Sequence, residues 1–305
     1  MSRERAAPRL TAETTRNNDF PHDTAEILPV RTGSLADMPN AADRADVFVK
    51  RRASAPAGFF AAEAAGLKWL AVAGGVPCVP VIGYDATSLT LRRLYPVAPS
   101  VQAARDFGAR LAHTHDAGAS AYGAGPDGYD GDGFFGPMSQ PLPMSLAGND
   151  SWGTFYADAR LMPMAELAAP RLGVETQDAV AEVADLCRTG VFDDHDGPAR
   201  LHGDLWSGNV IWTADGAVLI DPAAHGGHRE TDLAMLALFG FPFLDDVLAA
   251  YQAVRPLRDG WRDRVDLHQL YPLLAHVVLF GGGYVGQVDA AVRRVLAASS
   301  KLRIQ

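Results

Sequence analysis

In the run Leu201-His202-Gly203-Asp204-Leu205-Trp206-Ser207-Gly208-Asn209 a carboxylate is followed five positions later by an amide, and Asp221 stands twelve positions beyond that amide. Phosphoryl-transfer loops use this spacing. The chemistry divides into two tasks. One carboxylate, here Asp204, takes the proton of an attacking hydroxyl. The amide and the second carboxylate, here Asn209 and Asp221, hold Mg²⁺ against the phosphates of a nucleotide, a task suited to hard oxygen ligands.

Residues so far apart must be brought together by the chain between them. Val210–Trp212 and Ala217–Ile220 read as two strands around Ala214-Asp215-Gly216, a hairpin that returns Asp221 beside Asn209. A second pair of candidates lies upstream. Val47–Lys50 reads as a strand with Phe48 and Lys50 on one face. A helix follows from about Gly58 to Ala73, stopped by Gly74-Gly75, with Phe59, Gly66, Leu67 and Leu70 on its apolar face. Glu63 lies on that same face, where a carboxylate is costly unless a cation meets it. Lysine occurs only at 50, 68 and 301, and Lys50 closes the strand that leads into this helix.

The remaining chain divides by composition. Residues 1–20 are polar, charged and without period, as in a disordered tail. Short β-type runs begin at Ile27, and two further strands, Val79–Tyr84 and Ser88–Leu94, precede Pro96 and Pro99. Beyond residue 100 the pattern turns helical, near 101–115, 151–169, 176–189, 231–240, 243–254, 266–280 and 286–302. The stretch 118–150, rich in Gly, Pro and Asp, reads as a long irregular loop. The expected fold is α+β and two-lobed. A small β-rich lobe with one key helix, residues 21–94, would bind nucleotide, and a larger helical lobe, residues 95–305, would carry catalysis and substrate.

The catalytic run from His202 to Asn209 resembles the signature of the fructosamine (ketosamine) kinase family. Asp221-Pro222-Ala223 resembles that family's metal-binding triplet, and His228 to Met235 its following helix start. Gly133-Phe134-Phe135-Gly136 is similar to its substrate-side loop, and Trp152 to Leu167, with Phe155, Arg160 and Pro163, to the helix after it. The tryptophan after Asp-Leu separates this family from aminoglycoside and choline kinases of the same fold. The resemblance covers about residues 30–300. It implies a protein-kinase-like fold, ATP and Mg²⁺, and phosphorylation of a sugar hydroxyl on a sugar-amine adduct. It implies that Lys50 contacts the α/β-phosphates and pairs with Glu63. It also makes Thr90 to Tyr95 the last small-lobe strand and hinge, so that Arg92, Arg93 and Leu94 face the adenine through backbone groups. Arg92 stands where the family usually has an acid. Of the glycine-rich loop over the nucleotide, Thr32-Gly33-Ser34 survives, and Gly33 and Ser34 would cap phosphates. Trp206, Phe134 and Phe135 become walls of the sugar pocket.

The bulk numbers exclude other classes. A net charge of −9 on 305 residues argues against nucleic acid and anionic membrane surfaces as partners. The most apolar stretch, Leu273–Gly286, carries His276 and several glycines and is too short and broken to span a bilayer. Residues 1–25 lack the apolar run of a secretory leader, and two cysteines, Cys78 and Cys187, make no disulfide framework, so a cytoplasmic setting is expected. His225 and His228 lack a third zinc ligand in register. His202 and Asp232 are expected to hold the catalytic loop in place. Two competitors remain: a kinase of the same fold for an aminoglycoside or choline-like substrate, which the acids Asp127, Asp130 and Asp132 would serve, and a non-catalytic nucleotide-binding relative.

Overall fold

The computed structural model describes residues 46–302. The tail, the first β-type runs and the phosphate-loop candidates Gly33 and Ser34 lie outside the described residues. Three strands, β1 (Val47–Arg51), β2 (Val81–Tyr84) and β3 (Ser88–Arg92), form an antiparallel sheet in the order β1-β3-β2. Helix α1 (Phe59–Leu70) packs on it, and Phe59, Phe60, Ala64, Leu67, Val79, Leu89 and Leu91 make the small-lobe core. Alternation along β1 turns Phe48 and Lys50 inward to the space between the lobes, as period two requires. Helix α1 ends at Leu70, earlier than Gly74-Gly75, because Ala71 already leaves helical geometry at ψ 74°.

The large lobe is mainly helical: α2 (Val101–Asp116), α3 (Trp152–Tyr156), α4 (Met162–Ala168), α5 (Val174–Arg188), α6 (Glu230–Leu238), α7 (Leu244–Val254), α8 (Trp261–Phe280) and α9 (Val285–Leu302). The single helix expected over 151–169 is divided, with a π turn at Ala157–Leu161 between α3 and α4 and a 3-10 turn at its end. Pro163 has no N–H for the carbonyl of Ala159, which instead accepts from the Arg160 guanidinium at 2.9 Å. Gly281 breaks α8 from α9, and an added Cβ at Gly281, Gly282 or Gly283 would meet open space, so these glycines mark a chain break and no close helix contact.

Short antiparallel pairs carry the functional segments. The stretch 118–150 contains one of them, β4 (Gly133–Phe135) with β5 (Leu142–Met144). The expected hairpin is β7 (Val210–Thr213) with β8 (Gly216–Leu219). Strand β6 (Ala199–Leu201) enters the catalytic run and pairs with β9 (His225–Gly227), which leaves it; sequence pattern alone did not reveal this pair, because three-residue strands carry no period to read. The lobes are stitched at β8, where Leu219 N donates to Pro77 O at 2.8 Å and Val79 N to Leu219 O at 3.0 Å. Among the described residues no helix is long and apolar enough to cross a membrane.

Candidate active site

Asp204 sits on the bend between β6 and the 3-10 turn Ser207–Asn209. Asp232, near the start of α6 and fully buried, accepts the backbone N–H groups of His202 at 2.8 Å and Gly203 at 2.9 Å. His115 Nε2 lies 3.2 Å from the same carboxylate, and burial's upward push on Asp232 is outweighed by these donors, which hold its carboxyl low. His202 Nε2 lies 2.9 Å from Ile220 O and must donate to it, which leaves Nδ1 to accept from Asp204 N. The loop is therefore tied at both ends by neutral His202 and ionised Asp232, neither of which projects as a reacting group. Gly203 is required here: its φ is +82° and a Cβ would run into the carbonyl of Ala223.

Asn209 Nδ2 donates to Asp204 O at 2.8 Å and to Asp204 Oδ2 at 3.1 Å, which fixes the carboxylate and turns the amide oxygen away from it. Asp204 keeps an edge open to the cavity, but protein encloses the rest; this enclosure pushes its carboxyl up to about 7, with Asn209 opposing and Asp221 and Asp232 adding to the rise. Ile220 N donates to Asn209 O at 3.1 Å, so the hairpin does return Asp221 beside Asn209. Asp221 adopts φ +54°, a left-handed conformation that aspartate tolerates better than most residues.

Lys50 Nζ reaches Glu63 Oε1 at 2.8 Å and Asp221 Oδ1 at 2.5 Å. Burial alone would pull this ammonium down, but the two carboxylates override it and hold Lys50 above the ordinary lysine range. The buried Glu63 thus has the cation its position demanded. Lys68 is exposed on the other side of α1, over the Tyr84 ring at 5.9 Å. Arg92 is also exposed and pairs with Asp46 at 2.8 Å, while Arg93 donates to Val47 O at 2.8 Å; both, with Leu94, border the interlobe cavity.

That cavity measures about 680 Å³, within the range of small-molecule sites. Lys50, Glu63, Asp204, Asn209 and Asp221 all line it, as do Trp206, Phe134 and Phe135. Phe135 is mainly core, packed edge-on to Tyr271, whereas Phe134 bridges to Phe59 of the small lobe. Phe239, His276, Leu279 and Phe280 complete the wall and were not anticipated. The available signal was His276, a lone histidine in the most apolar stretch of the chain. Asp127, Asp130 and Asp132 are exposed and absent from the lining; Asp127 accepts from Trp69 Nε1 at 3.2 Å. Gly208 packs beneath the Trp206 ring so closely that a Cβ would overlap it.

His228 does gain partners that the sequence did not reveal. Glu230 and His268 converge on it. The set is already satisfied without an ion: Arg264 grips both oxygens of Glu230 at 2.8 and 2.6 Å, His228 bonds Asp194 at 3.1 Å, and His268 bonds Thr231 at 2.9 Å. His225 is buried in β9, with Nδ1 on Ala223 O at 2.8 Å.

The fructosamine kinase family model matches residues 9–298. The chain belongs to the fructosamine kinase family. A protein of Enterococcus faecium that carries the name ketoamine kinase is 36% identical over 245 residues, 79% of this chain and 84% of the relative. A crystal structure from Thermobifida fusca named as a fructosamine-3-kinase is 46% identical with a TM-score of 0.75, covering 82% of this chain and 85% of that one. A choline/ethanolamine kinase family protein of Mesorhizobium loti, 15% identical with a TM-score of 0.52 over 83% of this chain and 86% of that one, shares the fold only. This fructosamine kinase family member is a phosphotransferase with the two-lobed, protein-kinase-like α+β fold expected from its sequence.

Proposed function

We propose that this protein transfers the γ-phosphoryl group of ATP to a sugar hydroxyl of a small ketosamine of the fructosamine or ribulosamine type. The observation that carries the reading is the convergence of Lys50, Glu63, Asp204, Asn209 and Asp221 on one cavity between the lobes. Asp204 serves as base. With its carboxyl near 7 it is partly ionised at neutral pH and can still accept the hydroxyl proton as the phosphoryl bond forms. Asn209 holds Asp204 through its amide N–H and offers an oxygen on the other side of the same group. That oxygen and the Asp221 carboxylate suit Mg²⁺ as hard donors. Bound there, the ion would neutralise charge on the nucleotide phosphates. Lys50 is pre-charged by Glu63 and held against Asp221, ready to exchange that carboxylate for phosphate oxygens. Arg92, Arg93 and Leu94 form the adenine edge through their backbone, and Gly33 and Ser34 would cover the phosphates. In this reading residues 21–94 form the nucleotide lobe and residues 95–305 the catalytic and acceptor lobe, and the protein works in the cytoplasm, where Cys78 and Cys187 stay as free thiols.

An aminoglycoside is a polycation and needs several carboxylates. The acids at 127, 130 and 132, which would have served it, do not face the cavity. The deciding experiment incubates the protein with Mg²⁺, ATP and a panel of ketosamines and aminoglycosides at matched salt, read as product mass gain of one phosphoryl group. Ketosamine turnover is expected to exceed aminoglycoside turnover in kcat/KM. Faster aminoglycoside turnover would overturn the substrate, and ATP binding without any transfer would favour the non-catalytic relative.

A further inference from the structure

Beyond Asp204, the described residues that line the acceptor end of the cavity carry no charge. From Trp206 the rings run to Phe239 at 6.4 Å between centroids, then to His276 at 4.8 Å and Phe280 at 5.2 Å. Leu279 fills the same wall. Tyr284 backs His276 at 5.0 Å. Within this apolar wall His276 is the polar member. Its Nδ1 lies 2.6 Å from Pro272 O, and a carbonyl only accepts, so the ring proton sits on Nδ1. Burial pulls this imidazole below the ordinary histidine range, which keeps it neutral. Nε2 is therefore a lone-pair acceptor, has no protein partner among the described residues, and belongs to a residue that lines the cavity. Such a site recognises an N–H donor flanked by apolar or aromatic surface. At its outer end Phe280 is 45% exposed, so the wall opens there and a substituent can extend past it.

We propose that this aromatic wall holds the amine side of the substrate, with the amine N–H donating to His276 Nε2 and the substituent lying along Phe239 and Phe280, so that the preferred ketosamines carry an aralkyl amine and not a short aliphatic or anionic one. The inference rests on the ketosamine reading above and names the part of the substrate that reading leaves open. A sugar presented to Asp204 beside Trp206 directs its amine arm along this wall. Aromatic rings favour both a phenyl group, by edge and offset contacts, and a secondary ammonium, by cation–π attraction. Among the described residues, none beside Phe239, His276, Leu279 and Phe280 in the cavity lining is a carboxylate or guanidinium, so a charged substituent held against these rings, such as an amino acid carboxylate, would be desolvated without a partner in the wall.

The test compares three 1-amino-1-deoxyfructose adducts made from phenethylamine, methylamine and glycine, by kcat/KM with saturating Mg²⁺ and ATP. The phenethylamine adduct is expected to lead the methylamine adduct by roughly tenfold, and the glycine adduct to trail both. Phe280→Ala truncates a half-exposed ring, so the core stays filled, and should bring the phenethyl-to-methyl ratio towards one. His276→Leu should raise KM for both amine adducts roughly tenfold with a smaller change in kcat, because the bond is made equally in ground and transition states. Equal kcat/KM for the phenethyl and methyl adducts, or a ratio that Phe280→Ala leaves intact, would overturn the proposal while leaving ketosamine phosphorylation standing. Turnover of none of the three adducts by the parent protein would sink both.

Discussion

The two ends of the interlobe cavity are built on opposite physical principles. At one end Lys50, Glu63 and Asp221 form a chain of ion pairs at 2.8 and 2.5 Å, in which buried Glu63 needs Lys50 and Lys50 is shared with the half-exposed Asp221. At the other, Trp206, Phe239, Leu279 and Phe280 present uncharged surface with His276 as their polar member. Asp204 stands where the two meet. A charged end tolerates few substitutions, because removing one partner strands the next. An aromatic end tolerates truncation and passes the loss on to substrate preference. The first end suits the invariant half of a phosphoryl transfer, and the second the variable half.

The sharpest way to break this contrast is at the junction. Asp204→Asn should lower kcat by about 10²–10⁴ while nucleotide binding, followed by calorimetry, stays near the parent value. Near-parent turnover in a folded variant would remove Asp204 from the chemistry. Within the charged end, Lys50→Met should cost about 10² or more in kcat/KM, because it also strands Glu63 beside Asp221. Asp221→Ala should abolish the tightening of ATP binding by Mg²⁺, measured by calorimetry with and without the ion; an unchanged Mg²⁺ effect would point to another carboxylate.

The junction also predicts a pH profile. Only ionised Asp204 can take a proton, so kcat/KM should rise with pH through about 7 and flatten above it. The stability effect has the opposite sign. A carboxyl whose folded pKa is raised contributes fully below its unfolded value near 4 and loses that contribution as pH rises through about 7. Asp204→Asn should therefore melt a few degrees above the parent at pH 8, with the gap narrowing towards pH 5. A gap independent of pH would show that the carboxyl is not strained by its enclosure.

Gly208→Ala sharpens the aromatic side. The added methyl must displace the Trp206 ring, and a loss of roughly tenfold in kcat/KM is expected, larger for the preferred ketosamine than for ATP hydrolysis in its absence. The smallest effect is expected at Lys68→Met. Lys68 is exposed, with its ammonium over the Tyr84 ring, so activity should change by less than about twofold. A loss at Lys68 matching that at Lys50 would mean that the cation at this end of the cavity has been misidentified.

The charged end was legible from the chain because its rules are local and costly to break. Spacing joined Asp204, Asn209 and Asp221, and a carboxylate on an apolar helix face required a cation before any cation was in view. Trp206 was legible by another route, through the resemblance of its run to the fructosamine kinase signature. Other features depended on contacts between distant segments. The β6–β9 pair is too short to show a period, and the π turn over Ala157–Leu161 arises from Pro163 and Arg160 together. Glu230 and His268 approach His228 only when α6 packs on α8, and Arg264 then claims the carboxylate that sequence distance had hidden. His276, Leu279 and Phe280 look like ordinary core of α8 until the helix end is seen to border a cavity. An apolar residue carries the same signature in sequence whether it faces the core or a ligand, and only the packing of helix against helix decides which.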